Sequence, residues 1–221
     1  MTQTPPAASV RTEVMVPLRF SDGFATPARV ISFDGLADGR EHLAIGLGRY
    51  ADATGSGASP RPPLVRVHSE CLTGDVFGSQ RCDCGPQKRE AVERIAAAGG
   101  YLLYLRQEGR DIGLYAKLDA YALQDLGLDT YEANTALGFS VDARDYTVAA
   151  QMIHALGLTS VALLTNNPDK ANQLARLGVT VSERVPTAVH LSSANARYLA
   201  TKATRGLHTL GAPLDLNHRL G

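Results

Sequence analysis

From residue 64 to residue 184 the chain alternates short apolar runs with longer amphipathic stretches, and few folds accommodate that order. Residues 64–68, 101–105, 160–165 and 180–184 read as strands. They are short, rich in Val, Leu and Tyr, and bounded by Gly, Pro or Asn. Between them lie helical stretches. One opens near Pro86, carries Val92 and Ile95 on one face, and stops at Gly99 and Gly100. A second covers 112–126, with Leu114, Leu118, Tyr121, Ala122 and Leu126 as its apolar stripe and Gly127 at its end. Others cover 146–156, the stretch from Asn167 to Gly178, and 195–204. Strands alternating with helices of about 10–15 residues predict a layered α/β/α domain. Residues 12–48 hold further strand-like runs at 28–33 and 42–45. An N-terminal strand-rich segment of this kind predicts a mixed sheet rather than a wholly parallel one.

The 221 residues are sufficient for one large domain with its own core. Residues 1–10 read as a flexible end, 11–210 as a single domain, and 211–221 as a disordered tail. Residues 51–63, rich in Gly, Ser and Pro, read as a loop. Twenty-two basic residues balance 22 acidic ones. A nucleic-acid binder shows a basic excess, so that class is disfavoured, whereas an anionic small molecule needs only a local basic pocket. An odd number of cysteines argues against a disulfide framework and for a reducing, cytoplasmic setting. The first residues lack the basic and apolar regions of a secretory signal. No apolar run approaches the roughly 20 residues of a membrane span.

All three cysteines sit close together, at Cys71, Cys82 and Cys84. Three thiolates hold a zinc ion and leave its fourth position open, as catalytic sites do; a fourth protein ligand, His68 or Asp83, would make the site structural. A redox pair and three unrelated buried thiols are the other readings. Arg106-Gln107-Glu108-Gly109-Arg110-Asp111-Ile112-Gly113 joins a strand end to a helix start, the edge of an α/β sheet where ligands bind. There Arg110 suits a phosphate and Glu108 suits donors on a base edge, but a solvated turn with surface ion pairs has the same composition. Neither a Walker A sequence nor G-x-G-x-x-G is present. Asp142-Ala143-Arg144-Asp145 precedes the 146–156 helix, where Asp142 and Asp145 fit a capping-box variant and Arg144 a phosphate clamp. Thr165-Asn166-Asn167-Pro168-Asp169-Lys170 fits an Asn cap with proline at the first helical position. Thr165 and Lys170 can also meet an anion at the same helix start. Tyr121, at helical spacing, reads as core.

Taken together, VRVHSECLTGD, RCDCG, RQEGRDIGL, YALQDLG, LGFSVDARDY, LLTNNPDK and ERVP resemble the GTP cyclohydrolase II family, the entry enzymes of riboflavin synthesis. The resemblance runs from about residue 65 to 210. Towards the N-terminus EHLAIGLG is its best segment, and the 51–63 loop is longer than the family needs.

The resemblance implies that Cys71, Cys82 and Cys84 bind one catalytic zinc ion per subunit. Zinc-activated water then attacks C8 of the guanine ring twice and releases formate, with Tyr121 assisting. It implies that Arg144 is the nucleophile at the α-phosphorus, that Asp142 accepts its proton, and that pyrophosphate leaves. Magnesium accompanies the triphosphate. Substrate contacts fall on Arg66, Val67, His68, Ser69, Glu70, Gln87, Glu108, Gly109, Arg110, Thr130, Thr165 and Lys170. A homodimer is implied, with neither nucleic acid nor membrane as partner. A family variant that keeps the formyl group, and a non-catalytic GTP sensor with a structural zinc, are the competing functions.

Overall fold

The computed structural model describes residues 5–52, 61–140, 144–192 and 195. Its strands are β1 (Ser9–Met15), β2 (Leu18–Arg19), β3 (Ala25–Thr26), β4 (Ala28–Asp34), β5 (Leu43–Leu47), β6 (Leu64–Ser69), β7 (Gly100–Leu105), β8 (Ser160–Leu164) and β9 (Thr180–Val185). Its helices are α1 (Leu72–Asp75), α2 (Cys84–Ala98), α3 (Leu114–Asp125), α4 (Thr130–Ala136), α5 (Thr147–Ala155) and α6 (Pro168–Arg176). Among the described residues, seven strands form one sheet in the order β1-β4-β5-β7-β6-β8-β9, and β2 pairs with β3 apart from it. β1, β4, β5 and β7 run antiparallel, whereas β7, β6, β8 and β9 run parallel. The mixed sheet expected from the strand-rich N-terminus is therefore present. The helix predicted over 195–204 and the tail fall outside the described residues, apart from Asn195.

Strand parity sorts the chemistry. On β6, Val65 and Val67 face a core built with α5 and Leu174 of α6. Leu64 faces a second core with Ala91, Val92 and Ile95 of α2. Successive strand residues point to opposite faces, so Arg66 and His68 share the α2 face with Leu64. Apolar burial thus holds the strand from one side while its polar residues stay available on the other.

Two helices differ from the sequence reading. α2 starts at Cys84, so Pro86 lies within the first turn, where a missing N–H costs nothing. The stripe assigned to α3 is only partly a core stripe. Lys117 and Ala120 are buried, whereas Tyr115, Leu118 and Leu126 are 82%, 45% and 80% exposed. The apolar period was read correctly, but this face of α3 meets no other described element closely enough to cover it.

After β9 the chain is strapped to α2 by Glu90. Its carboxylate accepts from the Thr187 hydroxyl at 2.9 Å, from the Ala188 N–H at 3.0 Å, and lies 3.0 Å from His190 Nε2. Burial opposes ionisation of Glu90, yet these partners and Arg94 outweigh it and lower its pKa to about 2.

Candidate active site

One cavity lies at the carboxyl ends of β6, β7 and β8. Its walls include Arg66, His68, Ser69, Glu70 and Cys71, which follow one another along and just beyond β6. The three cysteine sulfurs lie within 4.8 Å of one another, with Cys71 and Cys82 3.6 Å apart. Cys71 stands two residues past β6 as the N-cap of α1 and Cys84 opens α2, so a strand end and two helix starts bring the three sulfurs together. Two glycines leave the room they need. A Cβ on Gly74 would stand 2.8 Å from the Cys82 sulfur and 3.1 Å from that of Cys71. A Cβ on Gly85 would stand 2.4 Å from the Gly74 carbonyl, so Gly85 permits the close approach of α1 and α2.

Hydrogen bonds from Cys82 and Cys84, with Lys117 nearby, hold the Cys71 thiol far below its usual pKa. The same contacts push Cys82 up to about 11 and Cys84 well above its ordinary value. Without a metal the cluster thus carries about one negative charge. Three soft donors, two of them buried, that resist full ionisation fit a dication, which displaces the remaining protons as it binds. Among the described residues no carboxylate or imidazole joins the cluster. The two fourth ligands considered from sequence are engaged elsewhere. His68 Nε2 lies 3.0 Å from an Asp75 oxygen, and Asp83 accepts from the Gln87 side-chain amide.

Lys117 is the principal residue that sequence reading missed. Its ammonium donates to Cys71 Sγ at 3.2 Å, Thr73 Oγ1 at 3.0 Å and Glu108 Oε1 at 2.7 Å. Burial acts to lower its pKa, but Glu108 and Cys71 outweigh burial and keep it charged. The other Glu108 oxygen accepts from the Leu72 N–H at 2.6 Å. The carboxylate assigned to a base edge therefore braces α1 and Lys117. Two cations lie near the Tyr121 ring, Arg81 at 4.9 Å and Lys117 at 5.7 Å from its centroid. Tyr121 is thus part of the cavity wall, not the core, and burial raises its pKa.

Asp75 supports the cluster from below. It accepts from the Cys71 N–H at 3.1 Å and the Tyr104 hydroxyl at 2.9 Å, and it holds His68. Burial lowers the His68 pKa more than Asp75 raises it, so the imidazole is neutral at pH 7 and donates through Nε2.

Away from the thiols, the cavity is cationic. Arg66, Arg81, Arg110, Lys117, Arg144 and Lys170 line it against only Glu70 and Glu108, although the whole chain is neutral. Arg66 is 6% exposed and donates to the Leu164 carbonyl at 3.1 Å and to Gln87 at 2.7 Å, while its Nε has no partner among the described residues. Thr165 and Lys170 line the cavity beside Asn167, the N-cap of α6, which accepts from the Asp169 N–H with Pro168 at the first helical position. The Asn cap with proline at the first helical position is therefore present. Lys170 donates to the Val67 carbonyl at 2.7 Å. The Val67 side chain itself lies in the α5 core, so only its backbone belongs to the site.

Thr130 begins α4 behind an Asp129 capping box and lines the cavity with Asn134. Gln107 joins Ser69 at 3.1 Å to the Asp145 carbonyl at 2.8 Å, which ties the segment carrying Arg144 to β6. Asp142 lies outside the described residues. Asp145 accepts from the Thr147 N–H at 2.6 Å just ahead of α5, whose N-cap position is Tyr146.

Gly109 and Arg110 both lie in the left-handed region, at φ 63° and 62°, and Asp111 follows at φ 78°. For residues with side chains this costs about 1–3 kcal/mol each, and such strain persists only where surrounding contacts over-determine it.

A family model described as GTP cyclohydrolase II matches residues 11–186. Relatives similar to the chain include the GTP cyclohydrolase-2 of Vibrio parahaemolyticus, 51% identical over 183 residues, which are 83% of this chain and 89% of the relative. That of Psychromonas ingrahamii is 47% identical over 204 residues, 92% of this chain and 98% of the relative. That of Pseudomonas fluorescens is 50% identical over 190 residues, 84% and 89% respectively.

Proposed function

This chain belongs to the GTP cyclohydrolase II family, and on that premise we propose that it hydrolyses GTP to 2,5-diamino-6-ribosylamino-4(3H)-pyrimidinone 5′-phosphate, formate and pyrophosphate. That reaction is the first step of riboflavin biosynthesis. The observation that carries this reading is the cavity itself, which joins a three-thiol cluster to a wall of six cationic side chains. A purine ring needs the first and a triphosphate the second.

Cys71, Cys82 and Cys84 hold zinc, one ion per subunit. When bound, zinc lowers the pKa of water to about 7 and so supplies hydrolytic chemistry at neutral pH. Tyr121, kept protonated by its burial, stands beside the thiols and assists proton transfer on the opening ring. Arg66, Arg110, Thr165 and Lys170 take the phosphates. Ser69, Glu70, Gln87, Gly109 and Thr130 complete the substrate contacts, with His68 and Glu108 acting through the residues they hold. Arg144, in the cavity wall, is the nucleophile at the α-phosphorus and Asp142 its proton acceptor. A guanidinium has a pKa above about 12, so this attack requires a carboxylate acceptor close by. Magnesium is carried by the triphosphate, whose charge it offsets.

The active form is a homodimer in the cytoplasm. Tyr115, Leu118 and Leu126 support the dimer, because they leave one face of α3 apolar and exposed. Leu118→Glu should shift the protein to monomer in sedimentation equilibrium, and an unchanged mass would remove α3 from the interface. No helix among the described residues is long and apolar enough to cross a membrane.

The function is tested by incubating zinc-loaded protein with GTP and magnesium and scoring formate and pyrophosphate together. Equal release of both is expected. Pyrophosphate without formate would overturn the complete hydrolase in favour of a formyl-retaining product, and release of neither would overturn the enzyme.

A further inference from the structure

The loop from Arg106 to Gly113 is gripped from outside the cavity by the connection between β4 and β5. Within the loop, Arg110 lines the cavity, with its guanidinium 4.7 Å from the Tyr131 ring centroid. Asp111, the next residue, is outside the cavity lining and pairs with Arg40. The same Arg40 nitrogen donates to the Arg106 carbonyl at 2.9 Å. Two residues on, His42 Nδ1 accepts from the Arg106 N–H at 2.9 Å, while its Nε2 lies 2.9 Å from Asp38. Asp38 also accepts from the Arg40 N–H at 3.1 Å. The 38–42 segment therefore holds both backbone polar groups of Arg106 and the far end of the strained turn.

We propose that Arg40 is a positioning residue, which acts through Asp111 to keep the 109–111 turn left-handed and so keeps Arg110 aimed into the cavity. This rests on the reading of the cavity as the GTP site. An isolated surface ion pair contributes little to stability. Here its consequence is directional. Glycine adopts a positive φ without help, but Arg110 and Asp111 do not, and relaxation of Asp111 to an ordinary conformation would carry Arg110 with it.

The test compares the full-length zinc protein with Arg40→Ala, Asp111→Gly and the double variant. Calorimetry gives the Kd for GTP, steady-state assays give KM and kcat, and hydrogen exchange covers the 106–113 peptide without ligand. Arg40→Ala is expected to raise Kd and KM about tenfold with kcat changed less than about twofold, the pattern of lost substrate binding. In the Asp111→Gly background the same change should add no further loss, because glycine needs no hold. Zinc content should be equal in all four proteins.

Two results would overturn the clamp. One is a Kd unchanged by Arg40→Ala. The other is an equal rise in both backgrounds, which would make Arg40 a matter of charge alone. Faster exchange of the 106–113 amides in Arg40→Ala supports the clamp even if the protein turns over no GTP, and unchanged exchange counts against it. A wild-type protein that fails to bind GTP would instead sink the functional reading and leave the exchange result to decide the clamp.

Discussion

Replacement of Cys82 by serine is expected to abolish formate release and to leave the protein deficient in zinc. The Cys82 sulfur is one of three donors within 4.8 Å of one another, and no fourth His, Cys or carboxylate among the described residues joins them. A serine hydroxyl stays protonated where a thiol ionises. Zinc-binding free energies of about 10–16 kcal/mol, spread over four ligands, put about 3 kcal/mol on each, or roughly a hundredfold in affinity. Formate production and metal content, measured on the same sample, check this. Pyrophosphate release should continue, because Arg144 and the phosphate-facing residues do not depend on the sulfur. Formate release at the wild-type rate from a zinc-free variant would show that the ring chemistry lies elsewhere.

The second large effect is expected from Lys117→Met, which keeps the length of the side chain and removes the charge. Lys117 and Glu108 have side chains only 10% and 9% exposed, so the change leaves a buried carboxylate with two backbone N–H donors and no cation. Breaking a buried pair from one side costs about 3–5 kcal/mol, because the remaining charge is uncompensated. Denaturant unfolding should show a loss near the low end of that range, given the open cavity beside the pair. Catalysis should fall about tenfold to a hundredfold, the usual cost of losing an outer support of a metal ligand. Lys117→Met with Glu108→Gln should recover most of the stability and little of the activity. If the double variant is no more stable than the single one, the loss comes from packing and not from the stranded charge.

Much of this was legible in the residues, and the reasons differ from place to place. The cysteine cluster could be read because its three members lie close in sequence and are the only cysteines present. The sheet could be read because its strands alternate with helices whose ends carry Gly, Asn and Pro. Lys117 could not be read. A lysine on a helix is ordinarily a solvated residue, and only the packing of α3 against Cys71 and Glu108 reveals a buried one. The outward face of α3 was misread for a related reason. A helical apolar period reports that a face is apolar, not what covers it. Arg40 was equally silent, since its partners Arg106 and Asp111 lie a long way along the chain and the pairing depends on β5 lying beside β7. The internal partners of Glu108 were equally out of reach, since Leu72 and Lys117 meet it only through the packing of α1 and α3.

The position of β6 has a kinetic consequence. β6 pairs in parallel with β7 and β8, matching Leu64 with Gly100 on one side and with Ala162 on the other. Parallel neighbours cannot be joined by a tight hairpin and require long crossovers. The antiparallel pairs β1–β4 and β4–β5 span much shorter stretches of chain and can form early. Contacts that close long loops form late and slow the search for the native state. The cavity is walled by the ends of three of the parallel strands, β6, β7 and β8, so its two chemical halves come together only when β8 docks on β6. Refolding followed by zinc uptake should therefore lag behind the gain of secondary structure, and a nascent chain that stops short of β8 carries its cysteines without a completed site around them.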